Sequence, residues 1–183
     1  MTTMTMIASS IPPNSCKIIW HKTNLLARIP TKRDTDAGFD IYTIEDDIWM
    51  QPGETRLFST GIQYYISPGW WLMGFDRGST GSQGINLHCG VCDNTYRGEL
   101  FICLHNDNNY PVHFTSQATK TEVITEGHLW WKKKYLVYPI SKAIAQLIPV
   151  YQPQVESREC QPGEWEKLKN TDRGEGKLGS SGK

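Results

Sequence analysis

A chain of 183 residues is long enough for one domain with a buried core and short of two comfortable ones. Its 19 basic residues balance its 19 acidic ones, which argues against a general polyanion binder such as a non-specific nucleic-acid-binding protein, yet a small anionic ligand needs only a few placed cations. No apolar run approaches the roughly 18 residues that span a bilayer, and the polar start lacks the layout of a signal peptide, so a cytoplasmic protein is expected, without a membrane or nucleic-acid partner.

Residues 1–16 read as an N-terminal extension. From Lys17 onward the apolar residues fall in short runs: Lys17-Ile18-Ile19-Trp20, Phe39-Asp40-Ile41-Tyr42, Arg56-Leu57-Phe58, Tyr64-Tyr65-Ile66, Trp70-Trp71-Leu72-Met73 and Leu100-Phe101-Ile102-Cys103-Leu104. Tyr135-Leu136-Val137 and Ile144-Ala145-Gln146-Leu147-Ile148 continue the series. These runs are rich in aromatic and β-branched residues and none keeps a helical period, so they predict strands. Gln51-Pro52-Gly53-Glu54 and Ser67-Pro68-Gly69 supply turn chemistry between them. The body, 17–161, is therefore expected to be all-β, a sandwich or jelly roll.

Two regions differ from that body. Thr115 to Lys134 is polar, then aromatic and basic at Trp130-Trp131-Lys132-Lys133-Lys134. It predicts an inserted segment, either an inert hairpin or a surface for a protein partner, since adjacent tryptophans are costly to expose without a use. Residues 162–183 end in a Gly/Ser/Lys-rich stretch with too little apolar surface to fold alone, which predicts a flexible C-terminal arm.

Five cysteines, Cys16, Cys89, Cys92, Cys103 and Cys160, are an odd number and do not form a secreted disulfide framework. His88-Cys89-Gly90-Val91-Cys92 raises the question of zinc, but no second ligand pair is spaced to match, and ordinary buried thiols are the preferred reading. Asp76-Arg77-Gly78-Ser79-Thr80-Gly81-Ser82 offers a cation, hydroxyls and small residues that let backbone N–H groups approach phosphate oxygens. Gly90 to Gly98 reads as strand, tight turn and second strand, with Asp93 and Tyr96 a few positions apart; a carboxylate there could hold and deprotonate a water. Asp93 and Asn94 serve equally well as turn formers.

The order of these pieces resembles the homotrimeric dUTP pyrophosphatase (dUTPase) family. Asp36-Ala37-Gly38-Phe39-Asp40 is similar to its first motif, Asp76-Arg77-Gly78-Ser79 to its second, and Gly90-Val91-Cys92-Asp93 through Tyr96-Arg97-Gly98 to its third almost residue for residue. Ile144-Ala145-Gln146-Leu147-Ile148 is similar to the fourth, and the glycine-rich tail from Arg173 to the fifth. The resemblance implies a dUTPase-like jelly-roll or β-clip barrel that hydrolyses dUTP to dUMP and pyrophosphate with Mg2+. It implies a pyrimidine pocket formed by a hairpin from about Ile85 to Arg97 that includes Gly90, with Tyr96 packed on the deoxyribose. Asp93 would aim the attacking water, and Asp40 would stand near the metal, acting through water. Arg77, Gly78, Ser79 and Gln146 would hold the phosphates, and Arg173, Leu178, Gly179, Ser180 and Ser181 would close over the substrate. Each site would combine segments of three subunits, and bacteriophage members of the family resemble this chain in carrying an extra segment near 115–134.

The chain departs from the family pattern at Gly78, where a serine is usual, at Ala143, where an arginine is usual, and at Lys177-Leu178, where Gly-Phe is usual. Two other functions on the same fold follow as alternatives. One is a catalytically weakened binding or regulatory module, and the other is dCTP deaminase, whose catalytic glutamate is replaced here by Cys103.

Overall fold

The computed structural model describes residues 15–128 and 131–171. The chain divides into two units, Met1–Gln152 and Pro153–Lys183. In the first unit the chain runs through β1 (Ile18–Lys22), β2 (Phe39–Ile41), β3 (Ile48–Met50), β4 (Thr55–Ser59), β5 (Ile62–Ile66) and β6 (Trp70–Phe75). A one-turn helix α1 (Gly78–Gly81) precedes β7 (Ile85–His88), β8 (Val91–Cys92), β9 (Phe101–Asn106), β10 (Val112–Thr115), β11 (Glu122–His128), β12 (Trp131–Pro139) and β13 (Ala145–Tyr151).

These strands form four sheets, ordered β1-β5, β11-β12-β10-β3, β2-β13-β6-β8 and β4-β9-β7. All four sheets turn one face to a common interior. Ile66, Met50, Phe114, Leu136, Tyr138, Ile41, Leu72, Leu147, Phe58, Leu104 and Ile85 meet there, each essentially inaccessible. The alternation along β5, where Ile62, Tyr64 and Ile66 are buried and Tyr65 is exposed, is the period-two pattern of a strand with one wet face. Among the described residues no helix is long and apolar enough to cross a membrane.

Every strand anticipated from the runs between Lys17 and Ile148 is present, but the segment after Asp93 is not a strand. β8 is two residues long, the chain turns at Asn94 and Thr95, and Tyr96 to Gly98 joins no ladder. The reason is local competition for backbone acceptors: the Arg97 guanidinium donates to the carbonyls of Asn94 and Tyr96, both at 2.7 Å. The arms of the expected hairpin also part company. β7 pairs with β9, whereas β8 pairs with β6. Cys89, with φ 60°, adopts the left-handed conformation between them and turns the chain from one sheet to the other.

The region 115–134 is built around a hairpin of β11 and β12, in register from Glu122↔Val137 to His128↔Trp131. Its outer half is exposed, with Trp131 at 63%. The inner half of β12 is not, because Leu136, Val137 and Tyr138 pair in parallel with β10 and enter the core, whereas Glu122 and Val123 of β11 opposite them stay exposed. Lys133 lies over the rings of Trp49 and Tyr135, at 4.6 and 5.3 Å from their centroids.

In the second unit a short helix α2 (Glu164–Leu168) follows Gly163, whose φ of 78° needs a glycine. Two hydrogen bonds from Arg158, at 2.7 and 2.6 Å, and one from the backbone of Gln161 hold the Glu164 carboxyl down to about 2.

Candidate active site

The centre of the first half of the site is β13. Gln146 on that strand faces Asp40 of β2 on one side and Phe75 of β6 on the other, so three distant stretches of sequence meet at one residue. Its side-chain amide donates to the carbonyl of Asp76 at 2.8 Å, fixing the approach to α1. Gly38 leaves space for the Gln146 side chain: a Cβ there would lie 2.9 Å from Gln146 Oε1 and push the amide from its seat. The Asp76 carboxylate accepts from the backbone N–H of Leu87 and so ties this corner to β7.

Arg77 stands at the start of α1 in extended conformation, and the backbone N–H groups of Thr80 and Gly81 turn back to its carbonyl at 3.0 and 2.9 Å. Its Nε donates to Asp40 Oδ1 at 2.9 Å, and the two side chains are 32% and 30% exposed. The Ser79 hydroxyl lies 3.1 Å from the buried Tyr138 phenol, which itself donates to the Ala143 carbonyl at 2.7 Å. Burial raises the Tyr138 pKa, so the phenol stays a neutral hydrogen-bonding post. Arg77, Gly78, Ser79, Gln146 and Asp40 together line a cavity of about 510 Å³, with Arg33 and Asp36 at its wall. Arg33 grips Asp36 through Nε and Nη2, both at 2.9 Å, and this pairing lowers the Asp36 pKa. The cavity is polar, carries two guanidinium groups, and has the small residues Ala37, Gly38, Gly78 and Ser79 in its lining, a chemistry suited to phosphate.

Asp93 and Tyr96 stand elsewhere. They line a second cavity of about 200 Å³ with Cys89, Val91, Cys92, Glu99, Leu100 and Phe101. That volume is below the range that encloses a whole nucleotide-sized ligand and suits a base and sugar. The two cavities share no lining residue. Gly90 lines neither; its carbonyl accepts from Gly74 N–H at 2.6 Å, and a Cβ on Gly90 would come within 2.8 Å of the Gly74 carbonyl oxygen.

The Asp93 carboxylate is exposed, but its backbone is not free. Tyr64 donates to the Asp93 carbonyl at 2.6 Å. Next along the chain, the Asn94 side-chain amide donates to the carbonyls of Ser67 and Trp70, both at 2.8 Å, and to that of Ile66 at 3.2 Å. The turn that carries the acid is thus bolted to the β5–β6 connection. Burial first, and the Asp93 charge second, push the Cys92 thiol up to about 11. Tyr64 is raised by the same burial, with charges at Cys92 and Asp93 adding to it. Tyr96 folds over Gly98 and donates to the Glu99 carbonyl at 2.8 Å. The Glu99 carboxylate accepts from Ser59 Oγ and from Gly61 N–H, the latter at 2.8 Å.

Comparison with known proteins places this arrangement in a family. Residues 26–128, more than half of the chain, match the family model described as dUTPase. The chain is 31% identical over 166 residues to the deoxyuridine 5'-triphosphate nucleotidohydrolase of Nautilia profundicola, covering 88% of this chain and 96% of that protein. The chain belongs to the dUTPase family. Its likeness to the nucleotidohydrolase of the same designation from Histophilus somni strain 2336 is 32% over 152 residues, covering 80% of this dUTPase-family chain and 82% of the relative. Among solved structures, the dUTPase of Staphylococcus bacteriophage 80alpha with dUpNHpp superposes with a TM-score of 0.67 at 22% identity, over 93% of this chain and 100% of that one. The dUTPase of phage phi11 of S. aureus, described as showing a species-specific insert, gives 0.62 at 21% over 79% of this chain and 96% of that one. Both likenesses establish the dUTPase fold expected from the sequence.

Within the dUTPase-family frame, the structure gathers Asp40, Arg77, Gly78, Ser79 and Gln146 in one cavity and sets Asp93 and Tyr96 in another. Arg173, Leu178, Gly179, Ser180 and Ser181 lie outside the described residues. Sequence reasoning passed over Arg33, Tyr64 and Tyr138, and read Asn94 only as a turn former. Arg33 carried a faint signal, four positions before Ala37 in the first motif. Tyr64 and Tyr138 carried none, since a tyrosine in a strand reads as core.

Proposed function

We propose that this dUTPase-family chain hydrolyses dUTP to dUMP and pyrophosphate, with Asp93 as the general base. The observation that carries the reading is the exposed Asp93 carboxylate, held by its backbone at the mouth of a nucleoside-sized cavity. Asp93 takes a proton from a water, and the resulting hydroxide oxygen attacks the α-phosphorus. The bond from that phosphorus to the bridging oxygen breaks, and pyrophosphate leaves. Tyr96, fixed by Gly98 and Glu99, packs on the deoxyribose and leaves no space for a 2′-hydroxyl.

Arg77, the backbone at Gly78, the Ser79 hydroxyl and Gln146 hold the phosphate oxygens in the larger cavity. Arg77 exchanges its contact with Asp40 for one with phosphate as substrate enters. Oxygen donors at Asp40 and Asp36 fit a hard dication that keeps most of its waters, and Asp40 would hold Mg2+ through water. When bound, Mg2+ offsets triphosphate charge and fixes the chain of phosphates for in-line attack. Because the two cavities share no residue, a nucleotide that needs both is accommodated when different subunits of a homotrimer supply them. The tail with Arg173, Leu178, Gly179, Ser180 and Ser181 closes the site from a third subunit. None of the described residues of 115–134 lines either cavity, and the segment is read as a surface for a protein partner.

The test is incubation of the full-length protein with dUTP or dCTP and Mg2+, following pyrophosphate and ammonia. Pyrophosphate from dUTP alone is expected, and Asp93→Asn is expected to lower kcat by about 10²–10⁴-fold while leaving the protein folded. Ammonia from dCTP would assign a deaminase, and neither product would assign a binding module. Near-normal turnover by the asparagine variant would remove Asp93 from this role.

A further inference from the structure

We infer that Cys89 and Cys103 are a redox-sensitive pair, oxidised by low-molecular-weight disulfides to an intrachain disulfide that reshapes the nucleoside cavity and slows the enzyme. The inference rests on the hydrolase reading of that cavity for its effect on rate, although not for the bond itself.

Strand register brings the two together. His88, the last residue of β7, pairs with Cys103 of β9, and Cys89 follows it directly. Facing residues of antiparallel strands have Cα atoms about 4.5–5.5 Å apart, so Cys89, one step of about 3.4 Å beyond His88, stands diagonally about 6 Å from Cys103, within the roughly 4.4–6.8 Å that a disulfide spans. The left-handed turn at Cys89, φ 60°, ends the ladder there and directs its side chain differently from a continuing strand. Cys89 accordingly shares a cavity wall with Phe101, which lies on the same face of β9 as Cys103 two residues on.

The partners differ in a way that sets their roles. Cys89 is exposed and lines the small cavity with Asp93 and Tyr96, whereas Cys103 is buried at 8% and lines neither cavity. Burial first, and the neighbouring Cys89 second, raise the Cys103 pKa. Cys89 is therefore the sulfur that an oxidant meets, and Cys103 the one that resolves. The Cys89 thiolate attacks one sulfur of glutathione disulfide, forming a mixed disulfide and expelling one glutathione thiolate. Cys103 then gives its proton to solvent and attacks the Cys89 sulfur, forming the protein disulfide and expelling the second glutathione. Two protein thiols are oxidised and one glutathione disulfide is reduced to two glutathiones.

Closing the bond draws the Cys89 side chain off the cavity wall and toward β9. Gly90, next in sequence, cannot follow, because its backbone is pinned to Gly74 by the 2.6 Å hydrogen bond and by a contact that leaves no space for a Cβ. The distortion therefore falls on the wall that faces Asp93 and Tyr96. A misplacement of about 1 Å at a reacting geometry costs up to ~10²-fold, and a fall of about tenfold in kcat/KM is expected for a wall that moves while Asp93 stays anchored.

The experiment takes the full-length, reduced protein, treats it with glutathione disulfide, and pairs non-reducing peptide mapping with dUTP hydrolysis rates. Support is a Cys89–Cys103 cross-linked peptide whose accumulation tracks the loss of rate, with both reversed by dithiothreitol. Cys103→Ser is expected to hydrolyse dUTP as the reduced parent does and to stop at the glutathione adduct on Cys89; Cys103→Ala serves the same purpose should the serine destabilise the core. A Cys89–Cys92 link, a stable adduct on Cys89 of the parent protein, or a complete cross-link with unchanged rates would each overturn the proposal. A reduced enzyme that releases no pyrophosphate would refute the hydrolase reading, and the cross-link map would still decide the pair.

Discussion

Asn94 is a turn residue by sequence and a structural bolt by geometry. Two amide protons serve three carbonyls, with good contacts to Ser67 and Trp70 at 2.8 Å and a weaker one to Ile66 at 3.2 Å. Replacing Asn94 by alanine removes the donors and leaves partly buried carbonyls seeking water. At roughly 1 kcal/mol for each good bond, and more where a carbonyl stays unsatisfied, the loss is about 2–3 kcal/mol. For a chain of this size each kcal/mol moves the melting temperature by about 2–4 °C, so Tm should fall by about 4–12 °C. The catalytic consequence is separate from the thermal one. Asp93 directly precedes Asn94, so a loosened turn misaims the carboxylate, and kcat should fall about tenfold or more with KM little changed. Circular-dichroism melts at one protein concentration, with steady-state pyrophosphate release well below the lowered Tm, read the two effects independently. An alanine variant that melts within about 1 °C of the parent and keeps its kcat would refute the claim that this amide holds the acid in place.

Gly98→Ala places a methyl group in contact with the Tyr96 hydroxyl and ring, so Tyr96 leaves its seat. The expected outcome is a KM for dUTP raised by about tenfold or more and a smaller preference for dUTP over UTP, measured by competing the two substrates. Truncation after Asn170 should abolish most dUTP hydrolysis while the circular-dichroism melt of the core is unchanged; an unaltered rate would deny the tail its role. Cys92 gives a pH prediction: its folded-state pKa of about 11 lies above the ordinary value of 9.0. A raised thiol pKa contributes stability that is complete below the unfolded value and is lost as pH rises from about 9 to 11. Cys92→Ala should therefore flatten the alkaline fall in Tm across that window, and iodoacetamide at pH 8 should spare Cys92 while labelling exposed Cys89.

Much of the fold was legible because short aromatic and β-branched runs have few other uses. Strands β1, β5, β6, β9 and β13 were each announced by such a run. The short strands β3 and β10 were not, since Ile48-Trp49-Met50 follows an acidic stretch and Val112 follows a proline, and both become strands through pairing with each other. That is a tertiary effect which no local window contains. The parallel pairing of β10 with β12 was equally hidden, because register across a long connection leaves no mark on either strand alone.

The gathering of Gln146, Asp40 and Arg77 in one cavity was legible, as each sits in a motif whose chemistry is carried by side chains. The turn of Asp93 was singled out by its sequence but drawn incorrectly as a continuing hairpin. Its true shape depends on where Arg97 and Asn94 place their hydrogen bonds, and sequence shows donors without showing acceptors. Separation of the two cavities was the most consequential feature beyond reach of a linear reading.

Strand β12 has a double life: Leu136 to Tyr138 are structural timber, Lys133 and Lys134 lean back onto Trp49 and Tyr110, and Trp131 and Lys132 lie beyond them. Since β11 and β12 match one for one from Glu122↔Val137 to His128↔Trp131, the outer ladder can be shortened or lengthened by deleting or adding opposed pairs without shifting the register of the inner one. A lineage can in this way refit its outward blade without recasting the core in which it is rooted.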